Sequence, residues 1–288
     1  MRPSVPRVAA VHDLSCFGRC SLTVIMPILA CMGIQVCPLP TALLSTHLGG
    51  FQNIAFCDFT DRMAEFYRHW QQEQIAFDCI YSGFLASTQQ IDTVVHFIDT
   101  FSANQPLVLV DPVMGDDGRL YSVYTAEMQQ HMKKLVSKAD VITPNFTEAC
   151  FLLGESYQEQ VLEPAALNDW LVRLAACGPS VVIMTGIPLA NRQIMNLGYE
   201  RHSGRFWQVV SEHIPARYPG TGDIFASVLA GALLDKQNVP QAMELAAEFV
   251  NMAIKTTYAA GTPAREGVLL ESTLPWLAAT WQSAKHSK

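Results

Sequence analysis

The sequence predicts an α/β fold: a three-layer α/β/α sandwich built around a central, mostly parallel sheet. Strand-like apolar runs alternate with helix-like segments along the chain, the spacing that signals crossover units. Half of the 288 residues are hydrophobic and only 16% are charged, as expected where strands are buried on both faces. No internal repeat, low-complexity tract or Ser/Gly linker marks a boundary, so residues 1–288 read as one domain. A chain of this length buries roughly 75% of its unfolded surface, which makes disulfides and structural metals unnecessary.

The first strand is read at 7–12, followed by a buried helix at 20–32 and a second strand at 33–38. No Asp, Glu, Lys or Arg stands between Arg19 and Asp58, and 22–44 is long enough to span a bilayer. Pro27, Gly33, Pro38 and Pro40 would break a single spanning helix, so this stretch is assigned to the core. The short apolar run 8–11 ends at His12 and Asp13, unlike a secretory signal, and a cytoplasmic location is expected. Further strands are read at 79–83, 107–110, 141–143, 181–185 and 206–210. Helices are read at 58–73, 88–102, 124–138, 147–154, 164–176, 222–236 and 240–259.

Composition narrows the function. Lys and Arg number 19 against 26 Asp and Glu, and no basic run exceeds Lys133-Lys134, which argues against nucleic acid and for a small substrate. The eight cysteines include no CxxC pair and most lie in apolar runs, so they read as free thiols. Cys16 and Cys20 have a metal-like gap, but no second pair completes a zinc site.

Ligands of such sheets bind beyond the carboxyl ends of strands, and five segments there carry chemistry. Gly220-Thr221-Gly222-Asp223 precedes an apolar helix whose first amides are free to meet an anion. Asp223 is suited either to capping that helix or to accepting a proton from an attacking hydroxyl. After the strand at 107–110 comes DPVMGDDGRLY (111–121), where Asp111, Asp116 and Asp117 suit a hydrated Mg²⁺ or an ordinary acidic turn. In TPNFTEA (143–149), Asn145 and Glu148 have capping-box spacing and could also hold a metal's water shell. Thr185-Gly186 ends a strand where a nucleotide phosphate could be met. The loops 13–19 and 45–51 mix polar, aromatic and glycine residues around Asp13, Thr46 and His47, the composition of a small-ligand pocket.

In this order and spacing, DPVMGDDGRLY, TPNFTEA and GTGD resemble the ribokinase-like superfamily, specifically its pyridoxal/pyridoxamine/pyridoxine (vitamin B6) kinase branch. The resemblance runs from Val8 to about Glu271. It implies ATP-dependent phosphorylation of the 5′-hydroxymethyl group of a vitamin B6 vitamer, a step in salvage of pyridoxal 5′-phosphate, by a homodimer. It implies that Asp223 takes the hydroxyl proton during attack on the γ-phosphate while Gly220, Thr221 and Gly222 form the anion hole. It places Asp111, Tyr121, Asn145, Glu148, Thr185 and Gly186, with Thr221 and Gly222, against ATP. Asp116, Thr143 and Glu148 fall near Mg²⁺ and a monovalent cation; Asp13, Thr46, His47 and Phe84, with Asp223, fall at the vitamer. A hydroxymethylpyrimidine kinase, or an enzyme acting on both alcohols, is the nearest alternative, and a non-catalytic vitamer- or nucleotide-binding module is a more distant one. Asp13 stands where many members carry Ser, and Leu48 where they carry Thr. A carboxylate there predicts a preference for the amine-bearing vitamer.

Overall fold

The computed structural model describes residues 5–157, 163–189 and 192–286. Its first half comprises β1 (Arg7–Ser15), α1 (Leu22–Cys31), β2 (Gln35–Leu44), β3 (Phe56–Asp58), α2 (Thr60–Gln72), β4 (Cys79–Ser82), α3 (Thr88–Thr100), β5 (Leu107–Val110), β6 (Gly115–Asp116), β7 (Arg119–Leu120) and α4 (Ala126–Val136). The second half comprises β8 (Val141–Ile142), α5 (Phe146–Leu153), α6 (Pro164–Ala176), β9 (Val181–Leu189), β10 (Gln193–Glu200), β11 (Arg205–Glu212), α7 (Thr221–Leu234), α8 (Val239–Ala260) and α9 (Leu270–His286).

Nine strands form one sheet in the order β11-β10-β9-β8-β5-β4-β1-β2-β3. The six from β9 through β2 pair in parallel, and the antiparallel strands lie at the two edges. The apolar strands carry side chains into both faces, as continuous hydrophobic runs require. On β1, Ala9 and Val11 join α2 to α6 on one side, while Val8 and Ala10 join α1, α7, α8 and α9 on the other. The expected three-layer sandwich is therefore present. The charge-free stretch supplies α1 and β2, and among the described residues no helix is long and apolar enough to cross a membrane.

Pro27 lies within α1, which continues through it. β2 runs on to Leu44, beyond the expected end at 38, despite Pro38 and Pro40. Both prolines pair with β1 on one side, while β3 reaches only Ala42–Leu44 on the other, so their missing N–H groups leave no ladder partner unmet. All eight cysteines are free thiols, as the sequence suggests.

The strand order reverses at β1: the chain passes from β1 to β2 on one side and later returns to β4 on the other. This is the switch point at which connecting loops diverge and open a crevice. His12, Asp13, Phe84, Asp111 and Thr143 all lie at or just beyond the carboxyl ends of β1, β4, β5 and β8.

Candidate active site

α7 supplies the floor of the crevice. Gly220 caps it at φ 82° with no side-chain hydrogen bond, so the first amides of a 14-residue helix stay available for an anion. Glycine is required here twice over. The left-handed conformation disfavours a Cβ, and a Cβ would lie 2.3 Å from the Arg19 carbonyl oxygen. Beside it, a Cβ at position 222 would be in ordinary contact with Asp111 Oδ2 at 3.7 Å.

The Asp223 side chain turns away from the helix amides and does not cap them. Its Oδ2 accepts the Ser21 N–H at 2.9 Å and the Cys20 thiol at 3.5 Å. Ser21 holds an unusual backbone (φ 51°, ψ −132°) and donates its hydroxyl to Asp13 Oδ1 at 2.6 Å; Ser15 donates to Asp13 Oδ2 at 2.9 Å. Asp13 thus braces the residue that grips Asp223. Burial, reinforced by the Asp13 charge, pushes the Asp223 carboxyl up to about 6, and the Ser21 N–H opposes that shift.

The first turn of α5 organises a second group of site residues. Asn145 and Glu148 form a capping box, and the Asn145 amide also donates to the Gly115 carbonyl at 2.9 Å. Glu148 accepts the Met114 N–H at 3.1 Å, and Thr147 Oγ1 accepts the Gly118 N–H at 3.0 Å. These bonds pin the β6–β7 hairpin against α5. Asn145 also bridges to Thr185, whose N–H donates to the Pro144 carbonyl. The Gly186 N–H donates to Asn196 Oδ1 at 3.1 Å. Tyr121 follows the hairpin and is exposed.

Asp111 is buried and accepts the Thr143 hydroxyl at 2.9 Å. Burial raises the Asp111 and Glu148 carboxyls well above the usual range, and Asp223 near Asp111 and Asp111 near Glu148 raise them further. Such a set of oxygen donors suits a hard cation. Both Glu148 oxygens already accept backbone N–H groups, Asp116 Oδ1 accepts the Asp117 N–H and the Thr143 hydroxyl donates to Asp111, so these three could hold a divalent cation through its waters rather than by direct ligation. Among the described residues, no three His, Cys, Asp or Glu are grouped so as to hold a metal.

Loops pack around His47 at the β1–β2 side of the site. His47 is buried; its Nδ1 accepts the Gly49 N–H at 3.1 Å and its Nε2 donates to the Arg265 carbonyl at 2.6 Å. Phe51 packs edge-on against His47 at 5.1 Å, with the Arg265 guanidinium 5.1 Å over its ring. Half-buried Thr46 lies next to His47, and Phe84 faces Tyr124 at the end of β4.

A crevice with a bare helix start, buried carboxylates and a small aromatic pocket is the setting of a phosphotransferase, and the comparisons agree. The phosphomethylpyrimidine kinase family model matches residues 66–267. The chain belongs to this family. Among solved structures, a Bacteroides thetaiotaomicron protein provisionally assigned as a phosphomethylpyrimidine kinase, crystallised with pyridoxal, is 43% identical. That match covers 95% of this chain and 96% of the other at a TM-score of 0.91. Pyridoxal kinase from Lactobacillus plantarum is 31% identical over 96% of this chain and 98% of its own, with a TM-score of 0.87. Pyridoxal kinase of Arabidopsis thaliana is 27% identical, covering 78% of this chain and 74% of its own.

Among the residues singled out by sequence, Asp13 is tied to Asp223 through Ser21, Asp111 lies near both Asp223 and Glu148 and accepts the Thr143 hydroxyl, and Asn145 pairs with Thr185. Sequence reasoning left His47 open between a satisfied loop residue and a ligand contact, and its two ring nitrogens are taken up in holding loops together. Three neighbours were missed. Ser21 and Cys20 grip Asp223 across a separation of about two hundred residues, which no local pattern encodes. His12, within β1, reads in the sequence only as the end of an apolar run.

Proposed function

We propose that this protein transfers the γ-phosphoryl group of ATP to the 5′-hydroxymethyl group of a vitamin B6 vitamer. The observation that carries the reading is the pairing, at one helix start, of uncapped amides with a buried carboxylate turned away from them. The Gly220–Gly222 amides are placed to meet the transferring phosphoryl group, and Asp223 is placed to take the hydroxyl proton, so positioning and charge neutralisation supply the catalysis. Asp111, Tyr121, Asn145, Thr185 and Gly186 line the nucleotide side; Asp13, Thr46, His47 and Phe84 line the vitamer side. Asp116, Thr143 and Glu148 would orient the waters of Mg²⁺, with a monovalent cation close by. Bound Mg²⁺ would offset the charge of the phosphates.

The family description and the pyridoxal held by the 43%-identical relative favour different heterocycles, so hydroxymethylpyrimidine is the second candidate acceptor. ADP release over a panel of pyridine and pyrimidine alcohols separates them. Turnover with pyridoxal, pyridoxamine or pyridoxine well above that with the pyrimidine supports the reading, and the reverse ranking contradicts it. A second copy of the chain is the proposed cover for exposed Leu43, Leu48 and Phe56 around the β2–β3 edge, which sedimentation equilibrium would reveal as a dimer.

A further inference from the structure

His12 is fully buried on β1, and neither of its ring nitrogens has a hydrogen-bond partner. A neutral imidazole carries one N–H donor and one acceptor, and leaving both unmatched in an interior is costly and rare. The ring is nevertheless tightly held. Tyr81 packs edge-on at 4.4 Å. Position 83 is glycine, where a Cβ would come within 2.3 Å of His12 Cε1 and 2.5 Å of Nδ1. This packing aims Nδ1 at Asp223 Oδ1, 3.8 Å away and just beyond hydrogen-bond reach. The other carboxylate oxygen is already gripped by Ser21 and Cys20.

We propose that His12 is the positioning residue of Asp223: its Nδ1–H closes onto Oδ1 of the ionised carboxylate and fixes the direction from which that oxygen meets the substrate hydroxyl. The closure requires a shift of only about 1 Å. The inference rests on the kinase reading above. Burial pushes the imidazole down to about 3, so His12 donates a hydrogen bond without itself becoming the proton carrier. The other groups facing this pair are Asp13 from β1, Cys20 from the segment joining β1 to α1, Tyr81 from β4 and Asp111 just after β5. Asp13 and Asp111 disfavour the charge on Asp223, and a donor at Oδ1 favours it.

Three measurements test this. In the unmodified protein, ¹⁵N spectra of the His12 ring should report the Nδ1–H tautomer; an Nε2–H tautomer overturns the proposal whatever the variants do. Carboxyl ¹³C titration of Asp223, assigned with Asp223→Asn, should show the midpoint rising by about one pH unit in His12→Phe, which keeps the ring but removes the donor. In His12→Asn, whose amide nitrogen can stand near the Nδ1 position, the midpoint should return toward its original value. Turnover should fall about tenfold in His12→Phe with KM for ATP unchanged, and recover in His12→Asn. A folded His12→Phe with unchanged midpoint and kcat overturns the assignment. So do equal losses in both variants with no midpoint shift, which would indicate packing alone. If the unmodified protein releases no ADP with any pyridine alcohol, the kinase reading fails, while the tautomer and the titration still decide what His12 does to Asp223.

Discussion

At the scale of the residue, the site is a chain of carboxylates whose jobs are separated by their partners. As the proposed base, Asp223 would have to be ionised to take a proton, yet burial favours its neutral form and lifts it to about 6. kcat/KM of the free enzyme should therefore rise with pH through about 6, and a profile flat from pH 5 to 8 would contradict the assignment. Asp13 has both oxygens engaged by Ser15 and Ser21, so its first service is to hold Ser21 against Asp223. Asp13→Asn should lower kcat by about tenfold, because an amide cannot accept both hydroxyls in the same arrangement. If Asp13 also faces the vitamer, the pyridoxamine-to-pyridoxal ratio of kcat/KM should fall in the same variant. An unchanged ratio leaves Asp13 with bracing alone. The sequence singles out Asp13 and Asp223 but does not link them, because the link runs through the hydroxyl and amide of a serine in a strained loop.

At the scale of the element, the start of α7 carries the greatest constraint. Gly220→Ala would introduce a Cβ against the Arg19 carbonyl at a left-handed φ, with no flexible atom to yield. It should lose activity at least a hundredfold and destabilise the fold by about 2 kcal/mol or more, read by kinetics and by denaturant unfolding. A fully active Gly220→Ala would show that the helix start need not be held there. This element was legible because glycines followed by an apolar helical run form a local pattern. α5 was legible for the same reason, its Asn145–Glu148 spacing being a capping box in fact. Other elements were not. β10 lacks a continuous apolar run and is fixed by antiparallel pairing to β9 and β11. The helix α9 contains Pro275, which locally argues against a helix, yet it is anchored by buried Leu277 and Trp281, and Trp281 Nε1 donates to the Met32 carbonyl. β3 and the β6–β7 hairpin are two- or three-residue pieces too short for periodicity to register.

At the scale of the whole molecule, the sandwich was readable because alternating apolar segments leave few other ways to bury a long, weakly charged chain. The strand order was not, since the reversal at β1 that opens the crevice is set by which edge each returning strand joins. The fold collects Asp111, Glu148 and Asp223 in its interior, at a cost in stability. Their folded-state carboxyls lie above ordinary values, so the folded chain holds more protons than the unfolded one as pH passes from about 4 through 6 and beyond. Stability of the unliganded protein from these groups should therefore fall as pH rises across that window. Asp111→Asn can still accept the Thr143 hydroxyl while removing one buried charge. It should raise Tm at pH 8 by several degrees, at about 2–4 °C for each kcal/mol, and should lose that advantage near pH 4. Equal Tm values at pH 8 would argue against a buried, strained charge. The central claim is that this crevice phosphorylates a pyridine alcohol with Asp223 as base, and coupled ADP release with pyridoxal, pyridoxamine, pyridoxine and hydroxymethylpyrimidine tests it most directly, run on the unmodified chain and on Asp223→Asn. Turnover should favour the pyridine alcohols and be lost by about a thousandfold or more in Asp223→Asn while ATP binding persists. Turnover confined to the pyrimidine, or an Asp223→Asn variant as active as the unmodified protein, would contradict it.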